Sequence, residues 1–395
     1  MRLTDSVRYF TEETGILACM SCVCGDAART VRALGGVTNL AGDPLTEESI
    51  FDLASLTKLF TGLTVMALHE EGRLNLAAPV TAYAPQFTQL DGVTVDQALG
   101  FEVGLRTPER IDAQPDREGA LRQLFAVAPY AIGEGRAYSD IPAMVLKYVI
   151  EGAADSSYFD AVTRLVLRPA GLTSVWERVP EALRGRCVSC DREHRFERGT
   201  YILREGILPG TPHDPKAHVL SPEGGDCAGH AGLFATVGDM ARLAQAVLGG
   251  KILSPASLRA MARNRSGHPL PGGGWTQYLG SLCYVKHPNQ YDSEVPAYMG
   301  RQALGLSGFT GHHLSIDPER GVFALYLGDR VLNRLTWLTP EAGKTWADYG
   351  LEPDGPGQFV WEDGREIISS VSYVHRKDAH FHAAVADELG LQPVL

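Results

Sequence analysis

Apolar positions at the start of the chain fall on one side of a short helical pattern. Val7, Tyr9 and Phe10 sit among polar residues, which predicts a helix over 3–13. Two β-rich runs follow, 15–26 and 28–39, with Gly25 and Asp26 supplying the turn between them. Residues 42–54 read as a loop leading into the stretch "FDLASLTKLF" (51–60). The helix expected from Ser55 to about Glu71 is apolar on most of its sides, which marks it as buried; Gly72 supplies its stop. From about 80 to 265 the pattern is mainly helical, clearest at 142–155, 157–171 and 235–250. In the last of these, Thr236 and Asp239 have capping-box spacing. Beyond about 275 strands return, including a hairpin over 313–330 about "DPERG", and 378–391 is again helical.

Strands at both ends with helices between predict an α+β fold. In it an antiparallel sheet is flanked by the terminal helices and carries an inserted, mainly helical lobe. The expected division is a sheet lobe from 1–54 plus 275–395 and a helical lobe from 55–274, with the site in the cleft between them. A chain of 395 residues with 44% hydrophobic and 21% charged residues has material for a large core. A net charge of −11 without a basic stripe argues against nucleic acid and anionic membrane as partners. The first twenty residues lack the pattern of an export signal, and no apolar run reaches the roughly 20 residues that span a bilayer. Seven cysteines without framework spacing fit a reducing, cytoplasmic setting.

The chemistry concentrates at Ser55-x-x-Lys58. Positions i and i+3 share a helix face, so the Lys58 amine can reach the Ser55 hydroxyl. Serine needs a base to act as a nucleophile, and a lysine among apolar side chains can serve when burial disfavours its charge. The bland alternative is a helix cap followed by a solvated lysine. The segment 49–87 resembles the penicillin-binding protein and serine β-lactamase superfamily, in its class C-like branch of esterases, D-amino-acid peptidases and β-lactamase-related proteins. The resemblance extends with gaps over about 1–335 and the final helix.

The resemblance implies a role for Tyr138 in "YSD" (138–140), sharing proton transfer with Lys58. Asp140 stands where Asn is usual; its charge would hold Lys58 protonated and move the base role toward Tyr138. The third motif aligns with Leu306-Ser307-Gly308, Leu306 occupying the place of a Lys or His that helps hold substrate carboxylates. The implied oxyanion hole is the backbone N–H groups of Ser55 and Phe309. Arg301, His312 and His313 are the cations near Leu306 that the sequence does not place. Phe101 and Val103 stand where relatives carry polar residues, and His230 lies in another shared phrase, more simply an anchor than a catalyst. Asp140, Leu306, Ser307, Gly308, Phe101 and His230 are therefore the expected pocket residues.

Without the motif cation, the expected substrate is a small neutral ester or amide, turned over through an acyl-enzyme. Carboxylesterase comes first, β-lactamase or D-amino-acid peptidase second, and a non-catalytic binding module is the alternative of another class. No cofactor or metal is expected: Cys187, Cys190 and His194 lack a fourth ligand. Residues 375–382 read as a solvated helix start. The large rings in 335–372 leave three roles open: a cap on the cleft, a homo-oligomer contact, or packing against the body.

Overall fold

The computed structural model describes every residue except 134–136, 289–293, 352–356, 362 and 395. At its centre is a six-stranded antiparallel sheet. Across the sheet run Tyr284–Val285, Leu304–Gly308, His312–Asp317, Val322–Gly328, Cys19–Asp26 and Thr30–Gly36. The first strand of the chain is thus interior, paired on one side to Val322–Gly328 and on the other to Thr30–Gly36. It is buried on both faces. Cys19 and Val23 enter the large core, while Met20, Cys22 and Cys24 face a second core built on Leu3, Val7, Phe10, Phe381 and Val385. That second core comes from the terminal helices, Leu3–Arg8 and Ala383–Leu389, lying on one sheet face. All seven cysteines are free and buried. The fold is α+β, an antiparallel sheet flanked on one face by the terminal helices.

The helix Val237–Leu248 lies on the other sheet face, and in the same core is the helix Thr57–Glu70, whose residues Thr57 to Leu68 are all buried. A helix so enclosed needs apolar side chains on nearly every side, which its sequence provides. Gly72, at φ +70°, takes the left-handed position past its end. The helices Ile141–Ala154 and Val237–Leu248 pack in the same core. Thr236 caps the latter by accepting from the Asp239 N–H (3.3 Å). The Asp239 carboxylate completes no box, accepting instead from the N–H of Thr173 (2.7 Å) and Ser174 (2.5 Å).

Three expectations need correction. The loop expected over 42–54 contains a strand, Ile50–Asp52, which pairs with Phe234–Thr236. Gly25 and Asp26 still pair within the sheet, and the turn follows them: the Asp26 carboxylate accepts from the N–H of Ala28 (2.7 Å) and Arg29 (2.8 Å). The mainly helical region also contains a hairpin, Glu193–Glu197 with Thr200–Arg204, extended in parallel by Leu335–Thr339. This small sheet carries its own core of Phe196, Leu335, Leu338, Leu351, Phe359 and Ile367, against which Trp346, Tyr349 and Trp361 pack. His194 binds Tyr201 and Asn333 through its two ring nitrogens and has no part in a metal site.

Candidate active site

The turn that carries Ser55 is held tightly against the sheet. Ala54, immediately before Ser55, sits at φ +45°, a left-handed conformation that a residue with a Cβ adopts at some cost. Asp52 supports it from within: one carboxylate oxygen accepts from the Ala54 N–H (3.0 Å), the other from the His213 N–H (2.7 Å). The Asp52 carbonyl accepts from the Thr310 hydroxyl (3.0 Å) and from His312 Nε2 (2.6 Å). His312 Nδ1 accepts from the Gly328 N–H, which fixes the proton on Nε2. Burial pushes the His312 pKa down to about 4, so this ring works as a neutral clamp. The strand Leu304–Gly308 passes so close that a Cβ on Gly308 would lie 2.9 Å from the Leu53 carbonyl oxygen. This approach brings Phe309 beside Ser55 at the edge of one cavity.

Inside the turn, Lys58 is fully buried and its Nζ donates to Ser55 Oγ at 2.8 Å. It also donates to the His230 carbonyl (3.3 Å), meets Asp140 Oδ1 at 2.8 Å, and lies 5.1 Å from the Tyr138 ring centroid. Burial works against the ammonium, but Asp140 and Tyr138 outweigh it and hold Lys58 above its ordinary value. Asp140 pays the same penalty of burial, yet Lys58 and Lys216 keep its carboxyl well below the usual range. Tyr138 is wedged between Phe101 and Tyr284, ring centroids 5.4 and 5.3 Å away, and its N–H donates to Gln277 (2.9 Å). The glycine turn expected before Tyr138 runs into residues 134–136, outside the described residues.

Ser55, Tyr138, Asp140, Ser307 and Phe309 all line a cavity of about 380 Å³. Lys58 stands directly beneath Ser55. The remaining expected pocket residues are not on its wall. Phe101, Leu306 and His230 are buried at 0, 1 and 1% exposure. Phe101 backs Tyr138; Leu306 points into the large core; His230 anchors its loop through Nε2 on Asp214 (2.9 Å). Gly308 acts through its missing side chain. Of the three cations near Leu306, His312 is the clamp just described, and Arg301 lies on a different cavity. His313 is buried behind Ser307, its Nδ1 3.1 Å from the Ser307 hydroxyl.

Several groups at the site carry no motif in the sequence. Glu294 Oε2 accepts from the Ser307 hydroxyl (2.6 Å) and pairs with Lys377 (2.5 Å). Lys377 is 1% exposed, so the helix start at 375–382 is a buried partner of the cleft and not a solvated end. Lys216 pairs with Asp140 Oδ2 at 3.0 Å from the helix Pro215–Leu220, which Asp214 caps. The pair Asp214-Pro215 is a helix-start signal that locates this helix but not its partner at 140. Asp140, Asp214 and His230 bring ligand atoms within 4.8 Å of one another, but the Lys216 ammonium already occupies that neighbourhood.

Residues 3–342 match the family model described as beta-lactamase. A putative D-alanyl-D-alanine carboxypeptidase of Salmonella enteritidis is 25% identical over 317 residues, covering 72% of this chain and 70% of its own. Among solved structures, EstCE1, a hydrolase with promiscuous acyltransferase activity, superposes with a TM-score of 0.65 at 20% identity, over 82% of this chain and 92% of its own. A class C beta lactamase from Rhodobacter sphaeroides superposes with a TM-score of 0.60 at 20% identity, over 83% and 93%. With its family model spanning most of the chain, the protein belongs to the beta-lactamase family of serine hydrolases.

Proposed function

We propose that the protein is a serine carboxylesterase acting on small neutral esters. Ser55 attacks the acyl carbon, and its proton passes to Tyr138. Tyr138 takes that proton as a phenolate and later returns it to the leaving alkoxide; Lys58, held as an ammonium, donates to Ser55 Oγ, steadying the phenolate before the transfer and the nucleophile as it attacks. The N–H groups of Ser55 and Phe309 stabilise the oxyanion, and water then cleaves the acyl-enzyme.

The observation that carries the substrate class is the Glu294–Ser307 contact. Where relatives offer a cation, this strand offers a buried leucine and a hydroxyl already donated to a carboxylate. Lys377 balances Glu294 from behind, so the strand has no net attraction for a substrate carboxylate. The cations on the cavity lining are paired as well: Arg110 with Asp112 (2.5 Å), Arg195 with Glu193 (2.7 Å) and Lys216 with Asp140. Losing one charge-assisted contact forfeits about 1.5–3 kcal/mol of binding to an anionic substrate. The name of the Salmonella relative supports peptidase action as a second reading.

A fluorophosphonate probe should label Ser55, and Ser55→Ala should abolish labelling. p-Nitrophenyl butyrate should turn over faster than nitrocefin. Faster nitrocefin turnover overturns the ester reading, and absence of labelling leaves a binding module.

A further inference from the structure

Asp140 stands where the family resemblance has an asparagine, and the charged group there meets two ammonium groups. The Lys216 ammonium lies 3.0 Å from Asp140 Oδ2, while Lys58 holds Oδ1 at 2.8 Å. One carboxylate is therefore shared between two ammonium groups, one beneath the nucleophile and one on the cavity wall. We propose that Lys216 is a positioning residue that supplies the second cation of the site, and that it does so by dividing the charge of Asp140 so that Lys58 stays free to serve Ser55.

The electrostatic reasoning is local. An unshared carboxylate 2.8 Å from a buried ammonium is a strong attachment, because little solvent screens it. Lys58 would then be drawn onto Asp140 and away from Ser55 Oγ. A second ammonium on the far oxygen pulls the other way. The remaining charged groups facing Lys216 are Asp214, 3.9 Å away, and Asp112, which Arg110 already pairs. Behind Asp214 stands His230, whose carbonyl also holds Lys58. Without Lys216, Asp140 and Asp214 would face each other with one cation fewer between them. With asparagine at 140, that need would vanish.

The inference rests on the serine-hydrolase reading, and its test separates the two. The second-order rate of fluorophosphonate labelling at Ser55 reports nucleophile activation without leaving-group or deacylation steps. It is measured for the wild type, Lys216→Met, Lys216→Arg, Asp140→Asn and the double variant Asp140→Asn/Lys216→Met. Lys216→Met should label about 30-fold more slowly than the wild type, and Lys216→Arg should restore the rate to within about 3-fold. In the Asp140→Asn background the same methionine should cost less than about 3-fold. If Lys216→Met alone does not fold, the comparison of Asp140→Asn with the double variant, which lacks both charges, carries the test. Equal fold losses in both backgrounds, or no loss in either, overturn the role of Lys216 while the hydrolase reading stands. A wild type that does not label overturns both.

Discussion

Gly308→Ala tests how closely the cleft strand must approach the nucleophile turn. The new Cβ would lie 2.9 Å from the Leu53 carbonyl oxygen and 3.1 Å from His312 Cδ2, where ordinary contact begins at 3.4 Å. Neither neighbour can yield easily. The carbonyl is backbone, and both ring nitrogens of His312 are bonded, to the Asp52 carbonyl and the Gly328 N–H. The strand must therefore retreat by about half an ångström, the gap between those contact distances. Forcing a methyl group into a packed site costs about 1–3 kcal/mol of stability. The retreat carries the Phe309 N–H with it. Losing an oxyanion donor outright costs about 10²–10³ in kcat; a displacement of half an ångström should cost about 10–100-fold. The assay is p-nitrophenyl butyrate turnover beside thermal unfolding, with Gly92→Ala as control, since nothing lies within 4 Å of a Cβ there. Wild-type kcat and Tm in Gly308→Ala would refute the reasoning, because the strand could not then be as close as the coordinates put it.

Lys377→Met leaves the Glu294 carboxylate buried beside the Ser307 hydroxyl and the neutral His313 ring without a cation and should lower stability by about 3–5 kcal/mol, read by urea unfolding. Ala54→Gly relieves a left-handed residue and should raise stability by about 1 kcal/mol, while the looser turn lowers kcat/KM several-fold. Acid should destabilise the fold through His312 and His313, each pushed down to about 4 by burial. A depressed histidine pKa means that the unfolded chain binds protons first. Stability present above pH 6.5 is therefore lost between 6.5 and 4, by up to about 3 kcal/mol per histidine. Asp329, raised to about 6 by burial, opposes this between 3.8 and 6, as do Asp52 and Glu177, also raised by burial, while His382, depressed well below its usual value by burial, acts with the other two histidines. A Tm that rises on acidification from pH 7 to 5 would contradict that assignment.

The legible part of the site was the part carried by local spacing. Ser55 and Lys58 sit one turn apart on a helix, and the helix announces its burial by being apolar all round. The hairpin about "DPERG" was equally readable. What stayed hidden depends on long-range pairing. Glu193 and His194 occupy buried strand positions as polar groups with polar partners, so the period-2 apolar signal that would reveal the strand is absent. Lys377 reads as a solvated lysine because its partner, Glu294, is 83 residues away. Lys216 looks like a surface residue after a helix cap, and only the tertiary fold delivers it to Asp140. Phe101 and Leu306 were expected to line the pocket and do not. Their side chains point into the protein because large apolar groups beside a polar cavity are better buried behind its wall.

The interior position of the first strand has a consequence for how the chain is made. Cys19–Asp26 finds one neighbour within a dozen residues, but the other, Val322–Gly328, leaves the ribosome some 300 residues later. Until then an apolar strand waits with one edge bare, a period in which it is open to chaperones and to mispairing. That strand also holds, through the Gly328 N–H, the His312 ring that clamps the Asp52 carbonyl, so a nascent chain stalled before it would carry Ser55 and Lys58 on a turn still lacking that brace.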